Sequence, residues 1–291
     1  MSVPETFFHV GYARAASTFL QKTVFPALMG IQYIPRNNFR VRESEKKRFK
    51  DSKVLMSREA GEYIFDRCEK VHEIFDSTII ISLRRHDALA ASTYRLNVKN
   101  GHTYRFPEFL DIKNNQGVRK LEDFTYMRLI EYVEKITGKR PLVLIFEDYK
   151  NDPDFYLDTL CAGLTCEIDR SKISQKAVHK SYTDKQLRLR RQFSQKFLDP
   201  SLDKENLVNT SIQDYRLLKS IKERVLIRVS GLFMRLARFA PQSWLDSEPL
   251  IFQEDLESIR DYFADDWRAC IAYVDEQSER LGVIRNVAKQ R

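Results

Sequence analysis

The 291-residue sequence has few cysteines and lacks any long apolar run. The four cysteines form no Cys-x-x-Cys pair, which excludes a disulfide framework and a zinc-finger-type site; they are Cys68, Cys161, Cys166 and Cys270. Because cytoplasmic thiols are kept reduced, we expect a cytoplasmic protein. No stretch approaches the roughly 20 apolar residues that a membrane span requires. The first residues also lack the basic start and the apolar stretch of a signal peptide.

Acidic residues are scarce in two segments of the chain. Segment 170–196 contains nine basic residues and one acidic residue, Asp184. Segment 36–58 contains nine basic residues and three acidic residues. The whole chain has 43% hydrophobic residues, 31% charged residues and a net charge of +8, which fits a large soluble domain with an anionic ligand or partner. Solvated surface lysines and arginines are the alternative explanation of such runs.

Short apolar runs rich in β-branched and aromatic residues predict five strands, at 6–10, 31–34, 53–56, 78–83 and 142–146. Helical patterns lie between and after them, at 17–28, 60–75, 87–97, 119–137 and 154–164. Nearly continuous apolar strands that alternate with helices indicate a parallel β-sheet flanked by helices on both faces.

Strand signals stop after about residue 183. Three further helices are predicted there, at 183–197, 215–239 and 253–280. We therefore expect an α/β protein with one domain over residues 1–291. It would comprise an α/β nucleotide-binding core over 1–185 and a helical C-terminal extension over 186–291 that packs on the core.

The first predicted strand runs into a tight turn of small residues and a helix that opens with two hydroxyls. The segment reads Gly11-Tyr12-Ala13-Arg14-Ala15-Ala16-Ser17-Thr18. Free N–H groups and the helix dipole favour an anion at such a helix start. The Ser17 and Thr18 hydroxyls and the Arg14 guanidinium would add donors. An ordinary helix N-cap at Ser17 or Thr18 is the alternative.

The Walker P-loop is a second way to bind phosphate after a strand. It requires glycine and lysine at the positions where this chain has Ala16 and Ser17. A hydrolase of magnesium nucleotides is therefore disfavoured.

A second candidate phosphate contact follows the strand predicted at 78–83. Arg84 comes directly after this strand, and Ser92 lies eight residues later on the next helix. A guanidinium at a strand end and a hydroxyl in the first turns of the next helix can converge on one phosphate. Taken alone, the two residues would also fit a surface arginine and a serine on a polar helix face.

Together these segments resemble the sulfotransferases that use 3′-phosphoadenosine 5′-phosphosulfate (PAPS), and most closely the carbohydrate-type members. The resemblance covers about residues 5–185. Its motifs are His9-Val10-Gly11 and Phe19-Leu20-Gln21 around the 5′-phosphosulfate loop, Arg84, Ser92 and Tyr94 at the 3′-phosphate site, and the strand–Glu147–Asp148 segment. The resemblance implies a P-loop NTPase-like sulfotransferase fold.

The resemblance also implies an activity. The protein would move the sulfuryl group of PAPS to a hydroxyl, expected on a carbohydrate such as a polysaccharide or glycolipid, and release adenosine 3′,5′-bisphosphate (PAP). No metal is implied. The nucleotide would be bound by residues 11–18, Arg84 and Ser92, with Lys180 and Ser181 as further contacts. The family has lysine where this chain has Arg14, which can stabilise developing charge but is a poor proton donor.

Glu59 is the predicted catalytic base, and Arg14 the second catalytic residue. The family places its base just past a central strand between the two phosphate motifs, and Glu59 occupies that position after the strand at 53–56. A nearby cation, Arg58 or Arg14, would keep the carboxylate ionised. An acid facing a helix dipole is the alternative for Glu59, and His86 is the rival base.

Two functions from other classes remain open. One is a non-catalytic protein that binds an anion or nucleic acid through segment 170–196, although the chain has no aromatic-interleaved basic motif. The other is a nucleotide kinase-like enzyme. In addition, the basic amphipathic pattern at 215–239 suggests peripheral membrane contact, or a core-packed helix whose basic side chains snorkel to solvent.

Overall fold

A computed structural model describes residues 5–35, 53–173, 182–197, 234, 237–245 and 248–285. Its strands are β1 (Thr6–Gly11), β2 (Leu28–Met29), β3 (Gln32–Ile34), β4 (Val54–Ser57), β5 (Thr78–Leu83), β6 (Leu142–Ile145) and β7 (Glu167–Ile168). Its α-helices are α1 (Ser17–Phe19), α2 (Ile64–Phe75), α3 (His86–Asn100), α4 (Phe106–Phe109), α5 (Tyr126–Thr137), α6 (Phe146–Asn151), α7 (Pro153–Leu164), α8 (Asp184–Phe197), α9 (Gln253–Tyr262) and α10 (Ala264–Leu281).

Five strands form one parallel sheet in the order β3-β4-β1-β5-β6. Every residue of β1, β4 and β6 is buried, which explains why these strands read as unbroken apolar runs. The prediction of a parallel sheet flanked by helices is confirmed. Strands β2 and β7 form a separate antiparallel pair.

The two faces of the sheet are covered by different helices. On one face, α7 and the helical turns after β1 pack on a core that includes Phe7, Leu55 and Ile80. On the other face α2 contacts β1 and α5, and α5 contacts α10. The chain thus leaves β1 towards one face and leaves β4 towards the other. In open α/β sheets, ligands bind at such a switch point, beyond the carboxyl ends of the strands.

The chain divides into two compact units. The first comprises residues 1–85, 125–178 and 263–291 and contains the sheet, whereas the second comprises 86–124 and 179–262. Helix α10 belongs to the first unit, where the Gln277 amide pairs with the backbone N–H and carbonyl of Val143 in β6 at 2.8 and 2.9 Å. The boundary near residue 185 between core and extension stays a prediction.

Several predicted elements are interrupted in the structure. The helix predicted at 17–28 holds its α-helical form only to Phe19 and continues as a π-helical turn and a 3₁₀ turn. Pro26 has no N–H to donate and so ends regular helix there. Phe146, predicted as the end of a strand, instead begins α6.

The helix predicted at 119–137 is a 3₁₀ turn (Leu121–Phe124) followed by α5, and the helix predicted at 253–280 is α9 followed by α10. Thr125 and Phe263 depart from helical geometry and separate the parts. Most of the helix predicted at 215–239 lies outside the described residues. No helix of the described segments is long and apolar enough to cross a membrane.

Candidate functional site

The loop between β1 and α1 has an unusual backbone. Arg14 and Ala16 both have positive φ, 80° and 65°, in a region that side chains other than glycine rarely adopt. The Ala15 N–H donates to the Tyr12 carbonyl at 3.2 Å, and the Ser17 hydroxyl donates to the same carbonyl at 3.4 Å. Backbone N–H groups in such turns form concavities that bind anions.

Gly11 lets the loop begin close to the neighbouring strand. A Cβ atom at this position would lie 3.2 Å from the Cβ and 3.3 Å from the carbonyl oxygen of Ser82 in β5. These contacts are tighter than nine in ten real Cβ contacts, so a side chain here would require Ser82 to shift by a few tenths of an ångström. Glycine therefore lets β1 and β5 lie close together where the loop starts.

A buried polar network joins three strands beneath the loop. His9 lies in β1, with Nδ1 2.8 Å from Ser57 Oγ in β4 and Nε2 2.8 Å from Ser82 Oγ in β5. The Gln21 amide donates to Ser57 Oγ at 2.9 Å. Burial lowers the pKa of His9 to about 3, so the imidazole is neutral at pH 7. A neutral imidazole has one donor and one acceptor nitrogen, which the two hydroxyls satisfy.

Arg84 is held against the loop by contacts of its guanidinium and of its backbone carbonyl. Its Nη1 donates to the Arg14 carbonyl at 3.1 Å, and its guanidinium lies over the Phe146 ring at 4.9 Å. Its own carbonyl accepts the Tyr126 hydroxyl at 2.8 Å, and the Tyr126 ring packs on Tyr12 at 5.2 Å. Tyr126 and Phe146 are framework residues that sequence reasoning missed, because no motif marks them.

Glu147 braces the turn after β5. Both of its carboxylate oxygens accept the Arg85 N–H at 3.2 Å. Burial raises the pKa of Glu147, whereas this hydrogen bond and the charges of Arg84 and Arg85 act in the opposite direction. The carboxylate therefore fixes the backbone next to Arg84.

Glu59, the predicted base, lies beside the start of the loop. The Arg58 N–H donates to the His9 carbonyl at 3.0 Å, and the Ala60 N–H approaches the Gly11 carbonyl at 3.5 Å. The backbone of Glu59 thus runs along the last residues of β1, and its side chain is half-buried. The structure brings the loop, Arg84 and Glu59 to the same edge of the sheet.

The rival base His86 contacts the backbone of the second unit. It is buried, and its Nε2 lies 3.0 Å from the Phe124 carbonyl. A carbonyl oxygen only accepts hydrogen bonds, so this nitrogen carries a hydrogen. The contact fixes the orientation of the imidazole ring.

The remaining predicted contacts stay predictions. Ser92 is buried on α3 in the second unit, and its convergence with Arg84 is not tested. Lys180 and Ser181 lie outside the described residues. Among the residues that are described, no group of three or more His, Cys, Asp or Glu side chains could hold a metal ion.

No protein-family model and no curated protein matches this sequence. Among solved structures, the chain is similar to a sulfotransferase from Alicyclobacillus acidocaldarius, with 16% identity and a TM-score of 0.45 over 74% of this chain and 100% of that one. It is also similar to the mouse sulfotransferase SULT7A1 complexed with PAP, with 13% identity and a TM-score of 0.41 over 81% of this chain and 89% of that one.

Proposed function

We propose that this protein is a PAPS-dependent sulfotransferase that sulfates a hydroxyl group, expected on a carbohydrate. The observation that carries the proposal is the loop of residues 12–16, which joins the central strand to a helix and has left-handed backbone at Arg14 and Ala16. Non-glycine residues in this conformation cost about 1–3 kcal/mol each and cluster at ligand clamps. This loop supports an anion site at the start of the helix, where the proposal places the 5′-phosphosulfate.

The donor would lie along the carboxyl edge of the sheet. Loop N–H groups and the hydroxyls of Ser17 and Thr18 would bind the 5′-phosphosulfate. Arg84, at the end of the neighbouring strand, would supply a guanidinium for the 3′-phosphate, with Ser92 as its predicted partner. In this proposal, the two arginines at this sheet edge, Arg14 and Arg84, would serve different phosphate groups.

The transfer itself needs a base and a stabilised leaving group. Glu59 would accept the proton of the acceptor hydroxyl, whose oxygen attacks the sulfur and forms the new S–O bond. The bond between sulfur and the bridging phosphate oxygen breaks, and PAP leaves. Arg14 would stabilise the negative charge that develops on the 5′-phosphate. No redox step or metal enters this scheme.

The carbohydrate acceptor and the cytoplasmic location belong to the same proposal. The acceptor class is supported by His9-Val10-Gly11 before the loop and by Ser57-Arg58-Glu59 at the end of β4, which resemble carbohydrate-modifying members of the family. The location is supported by the four cysteines, all of which are free thiols.

Calorimetry with PAP, AMP and ATP tests the proposal. We expect PAP to bind at least about tenfold more tightly than AMP, because one charge-assisted phosphate contact contributes about 1.5–3 kcal/mol. ATP should bind no better than AMP, since the loop lacks the Walker lysine. Equal affinity for PAP and AMP would contradict the donor site, and preference for ATP would favour a kinase-like enzyme.

A further inference from the structure

Two cysteines meet where α7 ends. The Cys166 N–H donates to the Cys161 carbonyl at 3.0 Å, and the Thr165 N–H donates to the Ala162 carbonyl at 3.2 Å. Thr165 has a left-handed backbone with φ of 48°. These features define the Schellman motif, in which the side chains at the positions of Cys161 and Cys166 commonly touch. An apolar pair usually fills these positions, whereas this chain has two thiols.

Both cysteines pack against the same core cluster, beside the turn that ends α7. Interaction between the neighbouring thiols raises the pKa of Cys161 and lowers that of Cys166. The Lys53 ammonium is fixed beside them by bonds of 3.2 and 3.1 Å to the carbonyls of Leu164 and Thr165. Its positive charge further favours the Cys166 thiolate.

The other two cysteines have a different environment. Cys68 and Cys270 are both fully buried, and burial raises the pKa of each thiol, to about 12 for Cys68. Cys161 and Cys166 are only half-buried. Small oxidants can therefore reach this pair, whereas Cys68 and Cys270 are protected and protonated.

We propose that Cys161 and Cys166 form a redox-active dithiol that a peroxide converts into an intrachain disulfide. The Cys166 thiolate attacks one peroxide oxygen and becomes a sulfenic acid as the O–O bond breaks. The other oxygen leaves as hydroxide and takes up a proton to form water. The sulfur of Cys161 then attacks Cys166, loses its proton and displaces hydroxide, which leaves as water. The two thiols lose two electrons, and hydrogen peroxide is reduced to water.

This disulfide would lock the turn between α7 and β7. Strand β7 pairs with β2 through Leu28–Ile168 and Met29–Glu167. Lys53, which contacts the turn, directly precedes the amino end of β4. The proposed sulfuryl-transfer site lies at the carboxyl ends of the strands, so the dithiol is distinct from it. The redox chemistry of the cysteine pair does not depend on sulfuryl transfer. In a reducing cytoplasm, the pair would rest as two thiols.

Peptide mapping after peroxide treatment tests the proposal on the full chain. Trypsin releases residues 151–170 as one peptide, because no lysine or arginine lies between Lys150 and Arg170. After hydrogen peroxide, this peptide should lose two hydrogen atoms, resist alkylation and regain both thiols with dithiothreitol. Cys68 and Cys270 lie in other peptides and, when the protein is denatured for alkylation, should react both before and after peroxide. If both thiols of peptide 151–170 stay alkylatable after peroxide has consumed added glutathione, the proposal is wrong.

Three variants separate the roles of the residues. In Cys161→Ser, the sulfenic acid should persist on Cys166, where dimedone traps it, whereas Cys166→Ser should show little labelling at Cys161. Lys53→Gln keeps a donor for the two carbonyls but removes the charge, and should slow oxidation of Cys166 several-fold. Equal dimedone labelling of the two serine variants would overturn Cys166 as the attacking thiol. Circular dichroism of each variant checks that the fold is retained.

Discussion

The guanidinium of Arg84 donates a hydrogen bond to the backbone carbonyl of Arg14, with 3.1 Å between Nη1 and the oxygen. One predicted donor-site arginine thus supports the loop that carries the other. Since Arg14 has a positive φ, the bond also helps to hold an unfavourable backbone conformation. Two residues that the sequence suggested separately are therefore in direct contact in the structure.

Arg84→Ala should weaken PAP binding by about one to two decades, because it removes a charge-assisted contact of roughly 1.5–3 kcal/mol. AMP, which lacks the 3′-phosphate, should lose less affinity than PAP. Calorimetry with both nucleotides measures the difference. Arg268→Ala is the matched control, since Arg268 is exposed and paired with Asp265. If AMP and PAP lose the same affinity, Arg84 only supports the loop.

Arg14→Lys should retain or improve turnover, whereas Arg14→Ala should lose most of it. Lysine restores the residue that the family uses and can also protonate the leaving group, which arginine does poorly. Turnover at saturating PAPS is the measurement, because it separates the chemical step from donor affinity. Wild-type turnover in Arg14→Ala would show that the residue does not stabilise the leaving phosphate.

Ala16→Gly should raise the free energy of unfolding by about 0.5–1 kcal/mol. The left-handed conformation of Ala16, with φ of 65°, costs a non-glycine residue roughly 1–2 kcal/mol. Glycine removes this cost, but about half of the gain is offset because glycine loses more conformational entropy on folding. Ala15→Gly is the control, since Ala15 is not among the positive-φ residues and should be destabilised instead. Urea unfolding of both variants gives the two signs directly.

His9 should make the protein less stable in acid. Its pKa is about 3 in the folded state and about 6.5 in an unfolded chain. Below pH 6.5 the His9 imidazole binds a proton in the unfolded chain but not in the folded protein. The free energy of unfolding therefore falls by up to about 1.4 kcal/mol for each pH unit. The loss continues until the pH approaches 3.

The acid effect of His9 is best measured against the non-titrating variant His9→Asn. Asp148 acts in the opposite direction, because burial raises its folded pKa to about 6 and its protonated form is favoured as the pH falls. Since both proteins retain Asp148, the difference between their urea unfolding curves at several pH values isolates His9. An equal pH dependence in the two proteins would contradict a neutral buried His9.

Local sequence patterns were sufficient to predict the sheet but not the network beneath the loop. Buried strands are continuous apolar runs, so β1 and β5 could be located within one residue. The contacts of His9 require the register of β1 against β4 and β5, which no single segment encodes. The same holds for Tyr126, whose bond to Arg84 joins residues 42 positions apart.

The cysteine pair shows a different limit of sequence reasoning. Spacing rules search for Cys-x-x-Cys and pass over a separation of five residues. Cys161 and Cys166 meet only because the helix ends in a Schellman motif at Thr165, a β-branched residue that rarely adopts left-handed backbone. The helix end was predicted correctly at 164, but the geometry of its cap was not.

Glu59→Gln should abolish most turnover while leaving the donor bound as before. Glutamine keeps the size and most of the hydrogen bonding of glutamate but does not accept the acceptor's proton, and a general base contributes about 10²–10⁴ in rate. The variant is informative because Glu59 follows β4 beside the carboxyl end of β1. PAP affinity, melting temperature and turnover are therefore measured on the same protein.

The matched control is Glu147→Gln, which alters a carboxylate that contacts the Arg85 backbone. This control should lower the melting temperature, whereas Glu59→Gln should lower turnover at nearly unchanged melting temperature. If Glu59→Gln instead melts early and retains normal turnover in the folded fraction, Glu59 is a structural acid at a helix start. Unchanged turnover and melting temperature would leave His86 as the rival base, although its Nε2 is bonded to the Phe124 carbonyl.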